Sequence, residues 1–168
     1  TWAALRTLRH AGDDKYATPI SAAERWLRAL EVKTVLDAAA VVLGLGTATD
    51  PAARRQRESC LRLLVAGRAP PGAWGAYLTS PIEPFDTAVV LLALVSLVDG
   101  PALAGSVLSP AELRQHIVDG RAFLIAEQLD DGSWIETTRP AGQQSYAQWI
   151  STTGWATLAL IETRDVVP

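Results

Sequence analysis

Two carboxylates sit where proton chemistry is conceivable. Asp37 and Asp86 stand near the starts of two almost uninterrupted apolar runs, Val35 to Leu45 and Pro84 to Leu94. At the mouth of an apolar cavity a carboxylate is poorly solvated, so its pKa rises and it becomes a proton donor. An aspartate at a helix start has another use. It accepts hydrogen bonds from the first backbone N–H groups and complements the positive end of the helix dipole. Both uses are open here. A third apolar run, Ile150 to Leu160, has Thr152 and Thr153 at the equivalent place, which cap well and make poor acids. Tyr146, Trp149 and Trp155 cluster before and inside that run; aromatic faces attract cations or fill a core. Metal chemistry is not expected, because Cys60, His10 and His116 show no ligand spacing and a zinc site needs three or four converging ligands. No cofactor is expected either: phosphate loop, dinucleotide fingerprint and Gly-x-Ser-x-Gly elbow are all missing. Asp13-Asp14 and Asp130-Asp131 flank glycines in turns, where Asp is common.

The elements that must carry these residues read as helices. Ser21 with Glu24, Thr34 with Asp37 and Ser109 with Glu112 have capping-box spacing, and Asp50-Pro51 and Ser109-Pro110 mark further starts. Gly67 and Gly100 stand at expected stops. The pattern predicts helices over about 2–9, 21–31, 35–45, 51–66, 86–98, 110–128 and 152–163. Between them, 67–85 and 129–150 are polar connections without strand alternation. The chain also repeats itself. The run around Asp37 aligns without gaps on that around Asp86, offset by 49 residues, and Ile150 to Leu160 makes a third copy. Leu64, Arg68, Gly72 and Trp74 recur as Leu124, Gln128, Gly132 and Trp134, offset by 60. Each unit is an amphipathic helix, a Gly-x-Trp turn, a loop and an apolar helix, as two concentric helical layers require. One domain, 1–168, is expected, with a degenerate unit at 2–45 and full units at 50–98 and 109–163.

Gly120 through Trp134 holds the sharpest signal: Gly120, Phe123-Leu124, Gln128, then Gly132-Ser133-Trp134, with Asp119 where a basic residue is usual. This stretch resembles the QW motif of the squalene cyclase and protein prenyltransferase repeat family. In that family Gln128, Gly132 and Trp134, with Gly72 and Trp74 of the earlier copy, are structural stitching. The resemblance implies an all-α, α/α-toroid-type arrangement of helical hairpins, with about three hairpins here, roughly half a ring. A half ring leaves two apolar edges open. Cyclases of this family that start by protonation carry Asp-x-Asp-Asp-Thr-Ala, with the middle Asp as acid. Here Glu83-Pro84-Phe85-Asp86-Thr87-Ala88 stands in its place, and Phe85 cannot protonate an alkene. The zinc ligands of the prenyltransferases and the Cys-Gly-Glu-Gln of related thioester proteins are not found.

Composition bounds the rest. The chain has 168 residues, 49% hydrophobic, enough for one domain with a sizeable core. A net charge of −3 argues against nucleic acid. Arg54, Arg55 and Arg57, beside Asp50 and Glu58, read as a solvated helix face. No apolar run is long enough to span a bilayer. No leader is visible, so a cytoplasmic or membrane-peripheral place is expected; yet the chain starts with Thr1 and has no methionine, as a processed product or a piece of a longer protein does. The expected function is a non-catalytic repeat module that binds an isoprenoid-like apolar molecule or a protein partner, with a homodimer or the remainder of a longer chain completing it. The alternative is part of a terpenoid cyclase whose catalytic residues lie elsewhere. Candidate cavity residues are Asp37, Glu83, Phe85, Asp86, Tyr146, Trp149 and Trp155.

Overall fold

The computed structural model describes residues 1–46, 48–98, 106–139 and 145–166. Among them the chain is all-α apart from one two-residue strand pair. The helices are α1 (Trp2–Ala11), α2 (Ala17–Ala29), α3 (Val35–Leu45), α4 (Pro51–Ala66), α5 (Pro84–Val95), α6 (Pro110–Ala126) and α7 (Tyr146–Glu162). The strands β1 (Arg68–Ala69) and β2 (Ala73–Trp74) pair antiparallel, with Arg68 opposite Trp74. No helix of the described residues is long and apolar enough to cross a membrane.

The helix starts follow local chemistry. Thr34 and Asp37 form a full capping box on α3, and Ser109 and Glu112 form one on α6. The Asp50 side chain accepts from Ala53 N–H at 3.0 Å ahead of Pro51. Other boundaries differ from expectation. α2 begins at Ala17 rather than Ser21, following a 3-10 turn at 14–16. Pro19 is tolerated in the first turn because that turn's N–H groups have no helical acceptor. Glu24, freed from the expected capping box, pairs with Arg9 and Arg28 instead. α5 starts at Pro84, with Glu83 as N-cap. α7 starts at Tyr146, where Ser145 accepts from Gln148 N–H, so a quarter of the expected connection is helix. The strand pair was likewise not expected. The predicted stop at Gly100 lies outside the described residues.

Two layers result. The apolar helices pack side by side, α3 on α5 and α5 on α7, and α4 and α6 cover them. α5 is the most enclosed, buried from Asp86 through Leu94. Each Gly-x-Trp turn is stitched in the same way. The Trp74 indole donates to Leu64 C=O and the Trp134 indole to Leu124 C=O, both at 2.7 Å and both ten residues back. The Trp74 N–H then donates to Thr87 Oγ1 and the Trp134 N–H to Thr153 Oγ1, at 3.0 and 3.2 Å. These bonds make Thr153 the counterpart of Thr87, and hence Thr152 that of Asp86. Both turns depend on a left-handed glycine, Gly72 at φ 117° and Gly132 at φ 85°. Gln128 donates to Gly132 C=O at 2.9 Å, whereas Arg68 at the matching place pairs with Asp119 of the following unit.

Arginines close two of the apolar helices at their C-termini. Arg57 is buried, and its Nη1 donates to Leu45, Gly46 and Ala48 carbonyls at the end of α3. It is therefore not part of a solvated face, as Arg54 and Arg55 are. Unpaired carbonyls at a helix end attract a cation, and that need draws Arg57 inward. Arg121 of α6 does the same for α7 through Leu160 C=O.

Candidate functional site

The carboxylates of α5 do not stand free. Asp86, in the first turn of α5, has no exposed side-chain surface. Both its oxygens accept from Arg139 Nη2 at 2.6 Å. Glu83, nearly buried, accepts from the hydroxyls of Thr137 and Thr138 and lies 3.2 Å from Arg139 Nη1. The segment leading from Trp134 toward α7 is thus clamped onto the start of α5, and Gln148 of α7 donates to Arg139 C=O at 2.8 Å. Burial pushes the Asp86 carboxyl up to about 6, against the pull of the Arg139 guanidinium; the neighbouring Glu83 charge adds to the rise. Removal from water outweighs the pair, as is common for charges in an apolar surround.

Beside this clamp lies a cavity of about 280 Å³ lined by Leu36, Phe85, Thr137, Arg139, Gln148 and Ser151. Phe85 and Arg139 reach it, and Asp86 is not among its lining residues. On α7, Gln148 Oε1 and Thr152 Oγ1 are buried with no hydrogen-bond partner among the described residues. The arrangement holds a loop; it does not present an acid to the cavity.

Asp37 sits apart from that clamp. Its Oδ2 accepts from Thr34 N–H at 3.2 Å while its own N–H donates to Thr34 Oγ1, the capping use of a helix-start aspartate. Neither Asp37 nor Asp86 lines the cavity between Leu36 and Phe85, the residues that precede them. The aromatic cluster also divides. Trp155 is half-buried, with its ring 5.7 Å from that of Trp2. Tyr146 and Trp149 are exposed and line an outer groove of about 470 Å³ with Ile150, Thr153, Gly154 and the Asp131 turn.

Trp2 reveals a placement the sequence reading missed. α1 lies across the apolar layer, from Trp155 of α7 to α3, where Arg9 donates to Gly44 C=O at 3.2 Å. Its Leu5 is fully buried. Between α1 and that layer is a cavity of about 370 Å³ floored by Leu43, Leu92 and Val95. Arg139, Thr137 and Thr138 were missed too. A signal existed: Arg139 is the sole basic residue between 129 and 150, and a buried Asp-Glu pair needs a cation.

Among the described residues no three His, Cys, Asp or Glu side chains converge as a metal would require. Cys60 is buried, and burial pushes its thiol up to about 12, so it carries no thiolate at neutral pH. His116 stacks edge-on to Trp74, and burial lowers its pKa. No family model, curated protein or solved structure matches this chain.

Proposed function

We propose that the chain is a non-catalytic helical-repeat module, of the squalene cyclase and prenyltransferase type, that docks a second copy of itself on the outer face of α7. The exposure of that face carries the reading. Ile150, Gly154, Thr157 and Ile161 run along it, and the register set by Thr153 and Thr87 matches them to Pro84, Ala88, Leu91 and Val95 of α5. In α5, Pro84, Ala88 and Leu91 are buried, and Leu91 lies against Gly120 of the following unit. In α7 the same positions are open: Ile150 is 56% exposed and Ile161 49%, and Tyr146 beside them 76%.

From Tyr146 to Ile161 the helix carries no charged residue, and a Cβ placed on Gly154 meets nothing within 4 Å. An uncharged face with a notch suits another apolar helix better than a polar partner. A second copy supplies such a helix, self-complementary about a two-fold axis. α2 also exposes Trp26, but unlike that stretch of α7 its sequence carries Glu24, Arg25 and Arg28.

The alternative, part of a cyclase whose catalytic residues lie elsewhere, rests on the Gly120 to Trp134 resemblance and the partial match at Glu83 to Ala88. Within this chain Asp86 is paired with Arg139 and does not line the cavity beside the clamp, as an acid would. Sedimentation velocity over a concentration series tests the proposal. The expected result is a reversible dimer that Ile150→Glu converts to a monomer with unchanged helicity. A wild-type monomer at every concentration, or a dimer that Ile150→Glu leaves intact, overturns it.

A further inference from the structure

The cavity beneath α1 shares no lining residue with the outer groove of α7 or the cavity beside the Asp86 clamp. At about 370 Å³ it falls in the range of roughly 300–1,000 Å³ usual for small-molecule sites. Its floor is apolar: Leu43 of α3 with Leu92 and Val95 of α5, and Trp2 forms one wall. Its rim is basic, because Arg6, Arg9 and His10 all line it from α1. Residues three and four apart share one helix face, so these three donors converge. Arg9 is engaged by Glu24 and Gly44 C=O. Arg6 is exposed and has no ion pair or side-chain hydrogen bond among the described residues. Glu162, at the end of α7, is the one anion lining the cavity among the described residues.

We infer that this cavity binds a single-chain anionic amphiphile. The apolar tail lies on Leu43, Leu92 and Val95, and a carboxylate or phosphate head meets Arg6 and its neighbours. Guanidinium groups carry permanent charge and a planar donor fork that fits both heads. Glu162 repels an anion and so fixes the head at the α1 side. The volume suits one tail and not two.

Isothermal titration calorimetry on the whole chain tests this, with dodecanoate, dodecyl phosphate and dodecyltrimethylammonium, each below its micelle concentration. The expected result is saturable one-to-one binding of at least one anionic chain, with the cationic chain at least ~10-fold weaker. Whichever anionic head binds tighter identifies the source, carboxylate or phosphate. Arg6→Gln is expected to weaken the anionic chain by about tenfold, one charge-assisted contact's worth, with an unchanged circular dichroism spectrum. Ile150→Glu, in the outer groove of α7, is expected to leave binding unchanged. The inference is overturned by no saturable binding, by equal affinity for the cationic chain, by indifference to Arg6→Gln, or by loss through Ile150→Glu alone. The outcome is independent of whether the chain dimerises.

Discussion

Asp86→Asn separates a buried ion-paired carboxylate from a simple helix cap. Asp86 has no exposed side-chain surface, and its carboxyl stands at about 6 instead of 3.8. The sign follows from proton counts. Between those two values the folded chain holds a proton on Asp86 that the unfolded chain has lost, so stability falls as pH rises through that window. Each pH unit of the interval corresponds to about 1.4 kcal/mol, and the loss from about pH 4 to above 6 therefore comes to about 3 kcal/mol. Asparagine keeps the shape and carries no charge at any pH. The variant should match wild type near pH 4 and exceed it by about 3 kcal/mol near pH 7, a large part of a total stability of roughly 5–15 kcal/mol. Urea titrations followed by tryptophan fluorescence at four pH values measure this difference. A flat difference across pH refutes the reasoning. So does a variant that loses ground as pH rises, since Arg139 would then outweigh the burial of Asp86.

Three further outcomes follow from the same geometry. Gly72→Ala should cost clearly more than Gly132→Ala in thermal melts: both need positive φ, at about 1–3 kcal/mol of strain, but only at Gly72 does the new Cβ fall 2.5 Å from Asp119 Cβ. Trp74→Phe and Trp134→Phe should each lose about 1–3 kcal/mol beyond the packing change, because Leu64 and Leu124 carbonyls are left without their buried donor; denaturation of the pair should give nearly equal costs. Arg57→Met should lose about 2–4 kcal/mol by uncapping the end of α3, while Arg55→Met on the exposed face should stay within about 0.5 kcal/mol.

Signals that act over three or four residues were readable from the chain alone. Asp50-Pro51, Thr34 with Asp37 and Ser109 with Glu112 set helix starts by local hydrogen bonds, and these stand as expected. The two tryptophan turns were visible because the same bonds recur in the same order. What escaped depends on distant partners. Arg57 looks like its neighbours Arg54 and Arg55 until the end of α3 is placed beside it. Arg139 looks like a loop cation until Asp86, 53 residues away, is buried under it. Ser21 with Glu24 had the right spacing, yet the 3-10 turn closed by Asp13 started the helix four residues earlier. α1 carries only a short apolar stripe, and nothing local says that Leu5 and Trp2 will lie across the apolar layer.

A nitroxide spin label at Ile150→Cys tests the docking role of α7 most directly. Cys60 is buried with its thiol held near 12, so labelling falls on the introduced residue alone. The account predicts an immobilised spectrum and a dipolar coupling between two labels across paired α7 helices, while a label at Ala122→Cys on exposed α6 stays mobile. A mobile, uncoupled label at 150, indistinguishable from that at 122, contradicts it.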